Sequence, residues 1–206
     1  MQAAIRPLFC FSFGREPLKA RASGAIAHLQ AAEQVVTVIL PLASQPAAAV
    51  ELLLDAAFGP DRHGRTAYQI RKGTSWLPEL SYAAVDESGA LVGTLQSWPV
   101  ALHDGATSAP LVMVGPVAVV PDYQRGGYGR ALMDRVVADA RALSSDPLMM
   151  IGDPEYYGRF WGFSADDTGA WRVPGPYEAR RLLALSVDGR PLPHAGMLGP
   201  HMRAAA

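Results

Sequence analysis

Residues 111–143 have the sequence LVMVGPVAVVPDYQRGGYGRALMDRVVADARAL, and this stretch decides the fold. The apolar run from Leu111 to Val120 predicts a buried strand, which Pro121-Asp122 interrupts. Beyond the glycines, apolar residues recur at helical spacing: Leu132, Val136, Ala140 and Leu143. The stretch therefore predicts a strand, a glycine-rich turn and an amphipathic helix in succession.

The turn Gln124-Arg125-Gly126-Gly127-Tyr128-Gly129 has the features of a phosphate-binding loop. A helix N-terminus offers unpaired N–H groups and the positive end of the helix dipole. Glycine carries no side chain that would block the approach of a diphosphate to the backbone. Arg125 adds a positive charge beside the turn. We therefore predict that the turn binds a phosphorylated ligand.

Two other phosphate-binding motifs fit this turn poorly. A Walker loop ends in Gly-Lys-Ser/Thr, whereas this turn continues as Gly129-Arg130-Ala131. A dinucleotide fingerprint, G-x-G-x-x-G, would begin at Gly127 but meets Leu132 where its last small residue should stand. Asp153 is only a lone candidate for the ribose-binding acid of that fingerprint. A nucleotide-binding oxidoreductase is therefore disfavoured.

The turn resembles motif A of the GCN5-related N-acetyltransferases (the GNAT family), whose pattern is Gln/Arg-x-x-Gly-x-Gly/Ala. Gln124, Gly127 and Gly129 match this pattern, with a strand before them and a helix after them. Further on, Gly152-Asp153-Pro154-Glu155-Tyr156-Tyr157 resembles the next strand end and helix of the YhbS-like subgroup, as does Gly115-Pro116 before the turn. The resemblance covers roughly residues 35–187.

This resemblance implies an α/β fold of the mixed, α+β type, with a central mixed sheet flanked by helices. In the family the sheet is splayed between the motif A strand and the next strand, and acetyl-CoA enters the gap as a co-substrate. Gly115-Pro116 predicts a bulge where this splaying begins. The resemblance assigns acetyl-CoA binding to the motif A strand and loop: Val117, Ala118, Val119, Gln124, Arg125, Gly126, Gly127, Tyr128, Gly129 and Arg130.

The reaction implied is direct attack of a primary amine on the thioester. A backbone N–H near Val117 could bind the oxyanion. Tyr157 corresponds to the family tyrosine that protonates the leaving thiolate, with Tyr156 as the alternative because Trp161 lengthens the spacing to Gly162 by one residue. The general base is not identified, and the candidates are Glu79, Asp153, His63 and His103. Three tryptophans are candidates for an acceptor pocket or for the core: Trp76, Trp98 and Trp161.

The composition of the whole chain narrows its partners. The net charge of −1 gives no electrostatic case for nucleic acid, and no apolar run approaches the ~20 residues of a membrane span. The single cysteine, Cys10, excludes an intrachain disulfide and fits a reducing compartment, so we expect a cytoplasmic protein. The expected acceptor is a small-molecule or protein amine. The expected reaction requires no metal ion. A homodimer remains an open alternative to a monomer. A non-catalytic acyl-CoA-binding or sensing module on the same fold is the alternative function.

The chain divides into three segments by pattern. We expect residues 1–34 to be a disordered or over-extended N-terminal segment and residues 35–189 to form the acetyltransferase domain. Residues 190–206 are rich in Pro, Gly and Ala, and we expect them to form an irregular tail. The predicted elements outside motif A are a strand at 35–40, helices at 46–58 and 63–72, a hairpin at 80–85 and 91–98, a polar turn at 103–109, and strands at 148–151, 171–173 and 182–187. Ser44 is a candidate cap for the first helix.

Overall fold

The computed structural model describes residues 37–202, so the expectations for residues 1–34 lie outside the described part of the chain. Its strands are β1 (Val38–Pro41), β2 (Tyr82–Val85), β3 (Leu91–Asp104), β4 (Thr107–Val119), β5 (Leu148–Ile151), β6 (Trp171–Arg172), β7 (Leu182–Leu185) and β8 (Gly196–Pro200). Its α-helices are α1 (Ala47–Phe58), α2 (Thr66–Ile70), α3 (Tyr128–Ala142) and α4 (Pro154–Trp161).

The strands form one mixed sheet in the order β1-β2-β3-β4-β5-β7, with β8 paired to both β3 and β6. Most pairs are antiparallel, whereas β4 with β5 and β6 with β8 are parallel. Neighbouring residues of β2 lie in different core clusters, since Ala84 packs with α3 and Ala83 packs with α1. Successive side chains of a strand point to opposite faces, so helices cover both faces of the sheet. The predicted mixed α/β fold is confirmed.

The strand, turn and helix of motif A are confirmed. β4 ends at Val119, and α3 begins at Tyr128 after a 3-10 turn at Pro121–Tyr123. Three residues of the predicted helical stripe are buried, since Leu132, Val136 and Ala140 all lie in the main core cluster. The fourth, Leu143, is 57% exposed because α3 ends at Ala142 and Leu143 lies beyond the last helical residue. The periodicity therefore predicted the buried face of α3 but not its end.

Several local predictions differ from the structure. The hydroxyl of Ser44 donates to the carbonyl of Pro41 and not to α1, which begins after Pro46 with no side-chain cap. The predicted second helix is only α2, because a 3-10 turn at Pro60–Gly64 takes up its first residues. The predicted polar turn at 103–109 lies mostly in strands, because β3 and β4 pair as far as Asp104 with Thr107.

The tail that we expected to be irregular contains β8. Residues 100–103 of β3 pair with it, because β2 covers only the first part of that edge of β3 and leaves the rest open. Glycine makes this pairing possible, since a Cβ on Gly196 would lie 2.6 Å from the carbonyl oxygen of His103. The prediction of an irregular tail therefore holds for residues 190–195 and is wrong for residues 196–200, while residues 203–206 lie outside the described part of the chain.

Candidate active site

The sheet opens at the middle of β4. Pairing of β4 with β5 is limited to Val112 with Leu148 and Met113 with Met149, so β4 runs on without a partner on that side. Across the other edge, Leu95 pairs with Val117 and Ser97 with Val114, so Gly115 and Pro116 together oppose the single residue Gln96. This is a β-bulge, and it lies where the sequence predicts one.

Glycine and proline suit the bulge for different reasons. Gly115 has a φ of +128°, in a region that favours glycine over residues with a Cβ. Pro116 has no N–H to donate, so it forfeits no ladder hydrogen bond where pairing has already stopped. Both residues, with Val117, are half-buried in a strand whose preceding residues are fully buried. The splayed gap predicted between β4 and β5 is therefore open to a ligand.

The backbone of β4 beyond the bulge offers unpaired polar groups to this gap. The N–H of Val120 donates to the carbonyl of Val92 at 2.9 Å. This bond shows which residues of β4 form hydrogen-bonded pairs in the antiparallel ladder with β3 and which do not. Hydrogen-bonded pairs alternate in such a ladder, so Ala118 bonds to β3 while Val117 and Val119 direct their N–H and C=O groups away from it. An extended ligand with amide groups can pair with that edge as an added strand would.

The turn after β4 leads into the N-terminus of α3. The N–H of Gly126 donates to the carbonyl of Tyr123 at 3.0 Å, and Gly127 caps α3 with a φ of +76°. The first bond of the helical ladder runs from the N–H of Ala131 to the carbonyl of Gly127 at 3.0 Å. The N–H groups of residues 128–130 precede that bond, so the helix itself gives them no acceptor. They lie at the positive end of the α3 dipole, an arrangement that can bind an anion.

The side chains of the turn differ in what they can contribute. The ring of Tyr128 is only 2% exposed and packs edge-on to Tyr123, with 5.8 Å between ring centroids, so Tyr128 can reach a ligand only through its backbone. Gln124 and Arg125 are exposed. Arg130 lies 4.6 Å from the ring centroid of Phe160, and its Nε is 3.7 Å from Asp134. That ion pair is more than half exposed and therefore weak, so it does not prevent Arg130 from meeting a phosphate.

The start of α4 fixes both candidate tyrosines. Asp153 Oδ1 accepts from the N–H of Glu155 at 3.0 Å, so this candidate base is the N-cap of α4. The N–H of Tyr157 donates to the carbonyl of Asp153 at 2.9 Å, which ties Tyr157 to the same cap. At its other end α4 stops at Trp161, and Gly162 follows with a φ of +82°. The bond to the cap residue therefore places Tyr157 in the first turn of α4.

The two tyrosines share one aromatic cluster, in which their rings are 5.1 Å apart and both contact Trp161. A Cβ on Gly152 would come within 2.7 Å of Cδ2 of Tyr157, so the Tyr157 ring covers the backbone at the end of β5. Tyr156 packs against Phe160 and Trp161, with ring centroids 5.2 and 5.4 Å apart. Of the two rings, that of Tyr157 is packed on the strand that borders the gap.

The remaining candidate bases are scattered over the fold. Glu79 is exposed in a 3-10 turn at Pro78–Leu80, and its carbonyl accepts from the hydroxyl of Tyr82. Nε2 of His103 lies 3.3 Å from the carbonyl oxygen of Pro200 in β8. The ring of His63 packs edge-on to Tyr68, with 4.8 Å between centroids, and it lines a cavity. Of the four candidates, only His63 lines this cavity.

The cavity has a volume of about 240 Å³ and lies between the helices before β2 and the strand opposite the bulge. It is lined by Glu51, Arg62, His63, Tyr68, Arg71, Lys72, Gly73, Gln96 and Trp98. Sequence reasoning identified only His63 and Trp98 among these residues. The signal that sequence reasoning missed is the run of residues 62–72, which contains three arginines, one lysine and no acidic residue.

Arg62 is the central cation of an ion-pair network on one side of the cavity. Its side chain is 2% exposed, its Nε donates to Asp55 Oδ1 at 2.8 Å, and its other nitrogens bond to Glu51 and to the hydroxyl of Tyr68. Burial opposes its charge, but hydrogen bonds with Glu51, Tyr68 and Asp55 outweigh burial and hold the pKa of Arg62 above its ordinary value. Arg62 is therefore a fully satisfied structural cation.

Arg71 joins the cavity to the bulge. Its guanidinium donates to the carbonyl of Gly115 at 2.8 Å and packs 4.0 Å from the ring centroid of Tyr68 and 4.1 Å from that of Trp98. The side chain is 4% exposed, and burial lowers the pKa of Arg71 to about 10, which leaves it charged at neutral pH. The cavity therefore presents a buried cation beside the opening in the sheet.

A match to a protein-family model decides to which family this chain belongs. The model described as "Acetyltransferase (GNAT) family" matches residues 48–154, more than half of the 206 residues. The chain belongs to the GNAT acetyltransferase family. The match begins in α1 and ends at the start of α4, so it includes the bulge, the loop and the cavity-lining helices. No curated protein matches the chain.

Solved GNAT structures share the fold of this chain. The GNAT family N-acetyltransferase YhbS from Escherichia coli, in complex with CoA, superposes with a TM-score of 0.61 at 21% identity, over 85% of this chain and 94% of that one. A GNAT family acetyltransferase from Brucella melitensis, in complex with acetyl-CoA, gives a TM-score of 0.53 at 24% identity, over 80% of this chain and 96% of that one. The expected YhbS-like GNAT fold is confirmed.

No helix among residues 37–202 is long and apolar enough to cross a membrane. In the same range, His, Cys, Asp and Glu side chains form no group of three that could hold a metal ion.

Proposed function

We propose that this GNAT protein transfers the acetyl group of acetyl-CoA to a primary amine by direct attack on the thioester. One observation carries the proposal: the open edge of β4 leads directly into the anion site at the start of α3. An elongated molecule with amides at one end and a diphosphate at the other fits that sequence of sites. Two GNAT proteins of the same fold were solved with CoA or acetyl-CoA, which supports this choice of ligand.

Each part of the site has a proposed role. The N–H groups of residues 128–130 bind the diphosphate, with Gln124 and Arg125 at its exposed side. Val117 and Val119 pair with the pantetheine arm through their backbone, and the N–H of Val117 stabilises the oxyanion. Gly127 leaves room for the diphosphate beside the helix start, because a Cβ there would meet no protein atom within 4 Å.

Tyr157 is the proposed acid that protonates the departing thiolate. The position of its ring on the end of β5, beside the gap, supports this role. Both tyrosines contact Trp161, so the position of the Tyr157 ring at the end of β5 is the observation that favours Tyr157 over Tyr156. We assign no general base, since a water relay could also remove the amine proton.

Binding and turnover test the proposal in two steps. The melting temperature is measured with acetyl-CoA, longer acyl-CoAs and NAD, because a ligand that binds only the native state stabilises it by mass action. CoA thiol release is then measured with a panel of amines. Acetyl-CoA binding without turnover of any amine would instead support a non-catalytic acyl-CoA-binding module. Stabilisation by NAD alone would refute both. The cytoplasmic location stays a prediction from the single cysteine.

A further inference from the structure

We propose that the acceptor is a small amine that also carries a carboxylate, and that Arg71 binds this carboxylate in the cavity. The inference rests on the acetyl transfer proposed above and adds the chemical class of the acceptor.

The cavity wall contains a buried cation that makes no direct ion pair. Among residues 37–202 no carboxylate lies within 4.0 Å of Arg71. Glu51 acts on Arg71 only from a longer distance, because Glu51 and Asp55 both pair directly with Arg62. Lys72 adds a further positive charge to the wall. A ligand carboxylate in the cavity could therefore form the direct ion pair that Arg71 lacks.

The geometry of Arg71 suits a carboxylate. A guanidinium has five N–H donors in a planar fork, and the carbonyl of Gly115 engages one nitrogen. The rings of Tyr68 and Trp98 pack on the guanidinium at about equal distances of 4.0 and 4.1 Å. The rings hold the fork in one orientation. Tyr68 also hydrogen-bonds to the guanidinium, and the remaining N–H groups can donate to the oxygens of a carboxylate.

The size of the cavity limits the acceptor. Its volume is about 240 Å³. Sites for drug-sized ligands have roughly 300–1,000 Å³, so this cavity suits a molecule of amino-acid size. A free amino acid, or an amine of similar size with an acid group, fits this volume and also brings a carboxylate for Arg71, which a lysine side chain lacks.

The cavity is adjacent to the proposed position of the thioester. Gln96 lines the cavity and faces the bulge, and Arg71 is bonded to the bulge through Gly115. An acceptor held by its carboxylate on Arg71 can direct its amine to the same bulge. The nitrogen then forms a bond with the acetyl carbonyl carbon, and the carbon–sulfur bond breaks. The amine proton leaves to solvent, and the CoA thiolate takes up a proton to give the free thiol.

The test compares acceptors that differ only at the carboxylate. Amino acids such as alanine and phenylalanine are assayed beside their amides and their decarboxylated amines, with acetyl-CoA saturating and thiol release measured. We expect kcat/KM to be about 10- to 100-fold higher for the acids, mostly through KM, as one charge-assisted contact would give. The amine of an amino-acid amide is less basic than that of the acid, so more of it is unprotonated at a fixed pH. Intrinsic reactivity therefore favours the amides, and a preference for the acids would have to come from binding.

Arg71→Lys and Arg65→Lys form a matched pair of variants. Arg65 also donates to a backbone carbonyl, that of Phe58 at 2.6 Å, and packs 5.6 Å from a ring, but it lies outside the cavity wall. We expect Arg71→Lys to reduce the acid-to-amide ratio about tenfold and Arg65→Lys to leave it unchanged. The ratio is the readout, because damage to the bulge would lower both rates alike. If Arg71→Lys does not fold, the ratio for the parent protein still decides.

Three results would overturn the inference, and they are distinguishable. Equal kcat/KM for acids and amides would overturn it while acetyl transfer stands. An acid preference that persists in Arg71→Lys would remove Arg71 from the role. Binding of acetyl-CoA with no turnover of any acceptor would overturn the proposed function, and this inference with it.

Discussion

Replacing Gly127 with Asp tests the proposed phosphate site directly. The left-handed φ of +76° costs an ordinary residue about 1 kcal/mol or more, but Asp and Asn tolerate this region better than most. A Cβ at position 127 would meet no atom within 4 Å, and Asp at an N-cap gains about 0.5–1 kcal/mol from the helix N–H groups. The strain and the cap nearly offset each other, so we expect the variant to fold with near-parental stability.

The effect on CoA should be much larger than the effect on the fold. The new carboxylate would occupy the N–H groups that the diphosphate needs, and it would lie about 5 Å from the phosphate charges. Coulomb repulsion at that distance is about 1 kcal/mol per charge in bulk water and about 3 kcal/mol near a protein surface. We therefore expect Gly127→Asp to weaken CoA binding by at least about 100-fold, measured by calorimetric titration.

Two controls separate charge from shape. Gly127→Asn has the same size and backbone strain without the charge, so it should lose less affinity than Gly127→Asp by about 10-fold or more. Gly129→Ala adds a methyl group 3.6 Å from Cγ2 of Val119, an ordinary contact, and motif A accepts alanine at this position. That variant should bind CoA like the parent. If Gly127→Asp also titrates like the parent, the phosphate site lies elsewhere and the reasoning is refuted.

Two further predictions concern catalysis and the fold. Tyr157→Phe should lower kcat by about 10²- to 10⁴-fold with CoA affinity nearly unchanged, whereas Tyr156→Phe should keep near-parental turnover. Near-parental turnover in both would leave solvent as the proton donor. Gly196→Ala should lower the free energy of unfolding by about 1–3 kcal/mol in urea denaturation, because its Cβ would lie 2.6 Å from the backbone carbonyl of His103. Gly169→Ala is the control, since its Cβ would meet nothing within 4 Å, and equal stability of the two variants would contradict the proposed role of Gly196.

Local sequence determined the part of the fold that binds the proposed donor. The strand β4, the turn and α3 follow each other in the chain, and each carries its own signal: an apolar run, a cluster of glycines and a helical stripe. β5 was predicted at Leu148–Ile151 with its bounds as observed, because a short apolar run between turn residues has few alternatives. Local sequence signals are sufficient to predict an element when the residues that determine it are close together in the chain.

Sequence reasoning missed the parts whose partners are far apart in the chain. β8 exists because residues 100–103 of β3 have an open edge, a fact of tertiary structure that glycine and proline content cannot reveal. The cavity combines residues 51–73 with two residues of β3, and the bond from Arg71 to Gly115 spans 44 residues. Arg71 also looks like an ordinary surface arginine in sequence, since its burial depends on Tyr68 and Trp98 meeting around it.

One irregularity in β4 underlies both the proposed donor site and the proposed acceptor site. The bulge at Gly115-Pro116 ends the pairing with β5, which exposes the backbone edge of Val117 and Val119 to the gap. The same bulge presents the carbonyl of Gly115 to Arg71, which fixes the buried cation beside the gap. A regular strand would close the gap and leave Arg71 without this bond. The bulge therefore couples the two sites, so the position of the acceptor's carboxylate is set by the backbone that would also hold the thioester.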